Sequence, residues 1–418
     1  MSEKNLWSYS CAEDFQAPEL AENLSADLVI VGGGFTGCAA AIEAAGQDAR
    51  VVLLEAKTIG FGGSGRNVGL VNAGLWLPPD QVEQRLGQAQ GQRLNAALAE
   101  GPETVFQLIE RHGIACEPVR NGTLHCAHSD AGLADLGNRY NQQMARQAPV
   151  HLLDANTTAQ ATGSKSFFGA LMDKRAGTIQ PLAYVKGLAR AAVDRGAAVF
   201  ENSPVIAINS GDAWTVKTAK ATVKASSIIL ATNAYHEEER EVGAAPTSTV
   251  NFFQLATRPL PEQVLETLLP NNEGCWDTGL VMTSFRKDQA GRFILGAMGL
   301  PDVLGIHKSW AQRAMARLFP VLTGQEFEFF WSGRIGMSKD YLPKIQKLGD
   351  NGFRVFGYSG RGIGPGTVFG QALAKTVLMQ SETYLPTTPI QDYSNPFAAI
   401  KSHWVEFGAR SIHFLGHR

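Results

Sequence analysis

The run Asp27-Leu28-Val29-Ile30-Val31-Gly32-Gly33-Gly34-Phe35-Thr36-Gly37, then a small-residue stretch and Val51-Val52-Leu53-Leu54-Glu55, constrains the fold more than any other part of the chain. It reads as strand, glycine turn, helix, strand. Gly32 suits the tight turn, Gly34 lets a pyrophosphate approach the backbone, and Gly37 lets the helix lie close on the sheet. Glu55 ends the second strand where it can meet a ribose hydroxyl. A bare G-x-G-x-x-G says little in a chain with 44 glycines among 418 residues. Here a strand of buried type precedes it, a helix follows, and an acid comes 21 residues after Gly34 (55 − 34). The run therefore points to a dinucleotide site rather than to a glycine turn without a ligand.

At 418 residues the chain exceeds what one hydrophobic core supports, and an apolar content of 44% is enough for two. The formal charge of −2 and the lack of a long basic run argue against nucleic acid as a partner. Five scattered cysteines (Cys11, Cys38, Cys116, Cys126, Cys275) suit reduced thiols better than a disulfide framework. The first 25 residues lack the pattern of a signal peptide, and no apolar run approaches the ~20 residues that span a bilayer. A cytoplasmic protein without a membrane span is expected.

Gly60-Phe61-Gly62-Gly63-Ser64-Gly65-Arg66-Asn67-Val68-Gly69 is too rich in glycine for a core element. Its glycines permit close backbone approach, and Ser64, Arg66 and Asn67 can donate hydrogen bonds to a phosphate or a flavin edge. From about 79 to 151 the pattern turns helical, then strand-like around Thr123 to His128. Positions three apart in a strand face opposite ways, so His125 and His128 do not form a metal pair, and no metal site is expected. A helix over 182–196 is followed by short strands at 198–200 and 205–208. The apolar strand Ala225 to Ala231 ends in Thr232-Asn233 and should return beside the first strand, with Asn233 taking a positive φ. The nucleotide domain thus resumes after an insertion. Strands at 255–260 and 292–296 and a helix over 309–318 suggest a mixed sheet with a helical cover. Phe353-Arg354-Val355-Phe356-Gly357-Tyr358-Ser359-Gly360-Arg361-Gly362-Ile363-Gly364 again reads as strand, glycine turn and helix start. Free amides there suit an electron-rich ring edge or a phosphate.

With both glycine turns in place, the chain resembles the amino-acid oxidase superfamily of FAD-dependent amine oxidoreductases. Leu6-Trp7-Ser8-Tyr9-Ser10, Gly63-Ser64-Gly65-Arg66-Asn67, Phe285-Arg286, Trp331-Ser332-Gly333-Arg334, Asp340-Tyr341-Leu342-Pro343 and Tyr358-Ser359-Gly360-Arg361-Gly362-Ile363 are most similar to its gamma-glutamylputrescine oxidase branch. The likeness spans about residues 5 to 385. One departure stands out: the branch commonly has a second glycine after its Arg-Asn, where this chain has Val68, so the substrate can differ from the branch's namesake.

The resemblance implies an α/β fold: a Rossmann-like FAD-binding domain of the glutathione-reductase type, with an inserted α+β substrate domain on a mixed or antiparallel sheet. We expect the FAD domain at 1–78, 152–245 and 331–385, the substrate domain at 79–151 and 246–330, and a C-terminal tail at 386–418. Gly32, Gly34, Phe35, Thr36 and Gly37 would meet the pyrophosphate, Glu55 the ribose, and Ser64, Arg66 and Asn67 the stretch from phosphate to flavin. Val205 would meet the adenine, and Arg361, Gly362 and Ile363 the flavin pyrimidine edge. Ala56, Gly63, Gly69, Leu70, Ala231, Thr232, Gly333 and Thr367 complete the implied cofactor contacts. No cysteine lies near the C-terminal turn, so the FAD is expected to be non-covalent.

The implied reaction takes hydride from a carbon next to an amine nitrogen to flavin N5, with hydrolysis of the imine and reoxidation of the flavin by O2. The substrate would be a gamma-glutamylated polyamine or a related amine. Desolvation that lowers the amine pKa would help, which calls for an aromatic-lined site. Trp76, Phe252, Phe253, Phe285 and Trp331 are candidates for it. Arg286 is expected to contact substrate or flavin, and Tyr358 to position substrate. A dehydrogenase feeding a quinone or carrier protein, and a non-catalytic flavoprotein subunit, remain alternatives. The oligomeric state stays open.

Overall fold

The computed structural model describes residues 3–237, 243–299 and 305–415. Strand Leu24–Val31 buries Leu28, Val29 and Ile30 completely. It pairs in parallel with Thr222–Leu230 on one side, Val31 opposite Leu230, and with Val51–Leu54 on the other. The full path runs Lys344–Lys347, Gly352–Phe356, Thr222–Leu230, Leu24–Val31, Val51–Leu54, Ala198–Phe200, with a hairpin strand Trp214–Lys217 beside Thr222–Leu230. Parallel strands covered on both faces read as unbroken apolar runs, as residues 28–31, 51–54 and 228–230 do.

Helix Phe35–Ala45 is made almost wholly of small residues, and Cys38, Ala39, Ala40, Ala41 and Ala44 are completely buried. That lets helix Ile363–Met379 lie against it backbone to backbone. A Cβ on Gly370 would collide with the carbonyl of Thr36. The two helices therefore begin side by side at one edge of the sheet.

The second sheet runs Phe327–Met337, Ser248–Pro259, Arg292–Met298, Thr283–Lys287, Gly274–Asp277, Thr123–Ala127, Gly169–Asp173, Val150–Asp154. Every junction is antiparallel except Gly274–Asp277 with Thr123–Ala127. Its outer face packs Phe253, Leu255, Phe285 and Leu295 under Trp310 and Met315 of helix Ile306–Leu318. The other face turns toward the nucleotide layer.

Strand pairing moves two of the expected domain boundaries, and helix packing reassigns a third segment. Val150–Asp154 and Gly169–Asp173 pair into the second sheet, so that sheet extends beyond residue 152 into the stretch expected to be nucleotide domain. Phe327–Met337 pairs along Ser248–Pro259, which puts Trp331 and Gly333 on the second sheet as well. Conversely, helix Gly101–His112, expected with the substrate domain, buries Val105, Phe106, Leu108 and Ile109 in the core of the nucleotide layer. Segment order alone does not report hydrogen-bonded neighbours. In the tail, helix Ala398–Leu415 docks on Ser248–Pro259: Thr249 N donates to Ser402 Oγ, and Asn251 N to Glu406 Oε1. No helix among the described residues is long and apolar enough to cross a membrane.

Candidate active site

One cavity of about 1040 Å³ runs from the first glycine turn, past the second, to the inner face of the second sheet. Gly32, Gly34, Phe35, Thr36, Glu55, Ala56, Gly63, Ser64, Asn67, Leu70, Val205, Ala231, Thr232, Tyr358, Arg361, Gly362 and Ile363 all line it. Three distant segments are thus brought to one space.

The nucleotide end is built from backbone. Gly32 has φ +109°, and a Cβ there would sit 2.9 Å from the carbonyl oxygen of Ala231. A Cβ on Gly34 would press Ser64 Oγ at 2.9 Å. The helix beginning at Phe35 has a glycine at its cap and no capping side chain, although Phe35 N donates to Ser64 Oγ. The helix beginning at Ile363 is likewise uncapped, with open space over Gly362. Two helix N-termini without a capping side chain of their own, facing one cavity, favour anionic or electron-rich groups. Glu55 accepts from Gly33 N at 2.7 Å and from Lys57 N at 3.0 Å, while burial raises its pKa. Its free lone pairs still suit a ribose hydroxyl. Asn233 has φ +44°, as its place after the returning strand requires. These residues fit a dinucleotide of the size of FAD.

Six expected site residues stand off the cavity. Gly37 abuts the carbonyl of Gly32, where it permits helix-to-turn packing rather than phosphate contact. Arg66 turns away to Glu3, to the carbonyl of Phe61 and to that of Ser332. Gly69, at φ +82°, backs onto the carbonyl of Ile179. Gly333 makes room for the Phe252 ring. Thr367 bonds the carbonyl of Ile363 and the Tyr184 hydroxyl within the helix core. Arg286, expected to contact substrate or flavin, is buried behind the glycine loop. It donates to the carbonyls of Lys287, Gly69 and Ile179, the last at 2.7 Å, and burial pulls its pKa to about 10.

Arg286 belongs to a clamp that the sequence reading did not foresee. Trp7 Nε1 donates to the carbonyl of Asn67, and Trp331 Nε1 to that of Arg66, both at 2.8 Å. The two indoles meet edge to face at 5.7 Å, with the Arg286 guanidinium over Trp7. Three large side chains thus fix the backbone from Arg66 to Gly69. Inside the loop, Asn67 accepts from Gly69 N and donates to the carbonyls of Gly63 and Ser64.

Tyr358 lines the cavity, but its hydroxyl is 2.8 Å from Thr36 Oγ1, so it ties one glycine turn to the other. Burial raises its pKa well above the phenol range. Arg361 sends its guanidinium across to the second sheet, 5.0 Å above the Trp276 ring, and donates to the carbonyl of Ala73. Burial, with Arg139 nearby, lowers its pKa to about 10. Of the aromatic candidates, Trp76 and Phe252 line the cavity, while Phe253 and Phe285 are in the outer core.

The DAO family profile, described as FAD dependent oxidoreductase, matches residues 27–376. This chain belongs to the DAO family. Among relatives, the gamma-glutamylputrescine oxidoreductase of Escherichia coli K12 is 30% identical over 403 residues, covering 95% of this chain and 94% of its own. The probable oxidoreductase OrdL of Haemophilus influenzae is 29% identical, covering 88% and 87%. Among solved structures, glycine oxidase from Geobacillus kaustophilus aligns with a TM-score of 0.73 at 20% identity, over 89% of this chain and all of that one. Family membership fixes FAD as the cofactor.

Proposed function

We propose that the protein is an amine oxidase acting on a gamma-glutamylated polyamine or a related amine, with O2 as electron acceptor. The observation that carries this reading is the single cavity joining both glycine turns to the inner face of the second sheet. The length and identity of the match to gamma-glutamylputrescine oxidoreductase favour the substrate class. FAD held by the glycine turns at 32–34 and 360–362 would supply the acceptor for a hydride from the carbon next to nitrogen; O2 would then take the two electrons with two protons as hydrogen peroxide, and water would hydrolyse the imine of a primary amine to a carbonyl compound and ammonia.

The chain's own residues prepare the amine. Trp76, Leu77, Phe252, Trp276 and Met282 make the substrate end apolar. The carboxylates lining the cavity, Glu55 and Glu237, are at the nucleotide end, and Glu237 pairs with Lys57. The other charged side chains lining the cavity, Lys57, Arg85, Arg334, Arg361 and Lys401, are all cations. Desolvation and nearby positive charge both favour the neutral amine, whose lone pair assists hydride loss.

The test is anaerobic bleaching of the holoenzyme by polyamines, glutamyl-polyamines, N-methyl amino acids and D-amino acids, followed by mixing with air. Bleaching by glutamyl-polyamines and reoxidation within turnover time are expected. Slow reoxidation would make the protein a dehydrogenase instead, and a panel without bleaching would remove the catalytic reading.

A further inference from the structure

Strand pairing brings one cross-sheet row to the floor of the cavity. Trp331, Gln254, Gly296, Ser284, Trp276 and His125 are successive partners across six strands. Gln254, Ser284 and Trp276 line the cavity. Gly296 leaves the space in which the Gln254 amide lies flat, since a Cβ there would overlap the amide carbon and oxygen.

Polar groups in this row are left unmatched. Gln254 is 4% exposed and Trp276 6%, yet neither Gln254 Oε1 nor Trp276 Nε1 has a hydrogen-bond partner among the described residues. A buried polar atom without a partner is costly, so it marks a place where another molecule can supply one. Arg361 stacks on the same Trp276 and spends one donor on the carbonyl of Ala73, with no ion pair to a carboxylate among the described residues. A guanidinium has five donors. His125, held neutral by burial, stacks on the indole at 4.9 Å and adds no charge.

We propose that Arg361 and Trp276 hold an oxyanion at one end of the substrate while Gln254 accepts an N–H at the other, so that the preferred substrate is an extended amine bearing a distant carboxylate. This rests on the amine oxidase reading and assigns its specificity. Gly296, beneath the Gln254 amide, and Trp276 stand two strand spacings apart, about 10 Å. A short amino acid does not bridge that span. The backbone of the second glycine turn remains for the cofactor, while the Arg361 side chain serves the substrate.

Two measurements on holoenzyme test the assignment. The first is binding of non-oxidisable straight-chain carboxylates, read as a perturbation of the flavin spectrum against the matched alcohols. Hexanoate should bind at least tenfold more tightly than hexanol, and Arg361→Gln should abolish the difference. The second is anaerobic bleaching by a series of ω-amino carboxylates from glycine to 8-aminooctanoate, each beside its alkylamine. Long members should exceed glycine at least a hundredfold in kcat/KM. Trp276→Phe should cut the carboxylate-to-alkylamine ratio about threefold. Gln254→Leu should raise KM for every amine, and the near-isosteric Gln254→Glu should lower KM for alkylamines. Each variant is scored only at full flavin content, which separates folding from recognition. Glycine outperforming the long members, or ratios unchanged in Arg361→Gln, would overturn the proposal while leaving amine oxidation in place. Carboxylate binding without bleaching by any amine would instead sink the amine oxidase reading and keep the anion site.

Discussion

The two ends of the cavity are built in opposite ways. The nucleotide end is backbone: glycines at Gly32 and Gly34, two uncapped helix starts at Phe35 and Ile363, and a loop whose carbonyls are held from behind by Trp7, Trp331 and Arg286. The substrate end is side chain: Trp76, Gln254, Trp276, Ser284, Arg361 and Trp404, contributed by segments more than 300 residues apart (404 − 76 = 328). A backbone site tolerates no added atom but is indifferent to most side chains around it. A side-chain site has the reverse sensitivity.

The largest expected effect breaks the nucleotide end by one methyl group. Gly37→Ala places a Cβ into the Gly32 carbonyl; overlap costing about 3 kcal/mol should weaken flavin binding about a hundredfold. Protein purified with a full complement of flavin would refute the backbone account. Next, Arg286→Ala removes the donor to the Gly69 and Ile179 carbonyls and should destabilise the fold by about 3 kcal/mol, read as a shift of the denaturation midpoint. An Arg286 that contacts substrate would instead show raised KM in a protein of normal stability.

Tyr358→Phe is milder. Losing the bond to Thr36 should cost about 1 kcal/mol of stability, with substrate KM changed less than about threefold. A large KM change would return Tyr358 to substrate positioning.

The smallest effect sharpens the contrast through pH. Helix Ala398–Leu415 lines the substrate end with Lys401, Trp404, Gly408 and Ala409. Near its end, His413 packs against Phe253 and Trp310, with His307 and Arg313 beside it. Burial foremost, then the charges of His307 and Arg313, lowers its pKa to about 3. The unfolded chain takes up a proton near pH 6.5 and the docked helix does not, so this contribution to docking is full above that value and is lost as pH falls toward 3. Limited proteolysis should cut the helix faster at pH 5 than at pH 7 while flavin stays bound. Equal rates would disprove the coupling.

Much of the fold was legible because its signals are local. The strand-turn-helix at Gly32 to Gly37, the return of Thr222–Leu230 beside it and the positive φ of Asn233 follow from residues a few positions apart. The roles of Arg66 and Arg286 were not legible in that way. Each reads as a cation beside a glycine loop, and only packing shows that Arg66 turns to Glu3 and that Arg286 holds carbonyls from behind. The domain edges near 152 and 331 failed for a related reason, since pairing partners are set across the sheet and not along the chain.

The sequence by itself determined the two glycine turns and the α/β class, because a glycine turn is specified by the backbone freedom of its own residues. Only the tertiary structure decided which side chains line the cavity. In a strand every second residue takes each face, so the register that aligned Gln254, Gly296, Ser284 and Trp276 under Arg361 chose between two equally allowed patterns, and strand pairing made that choice.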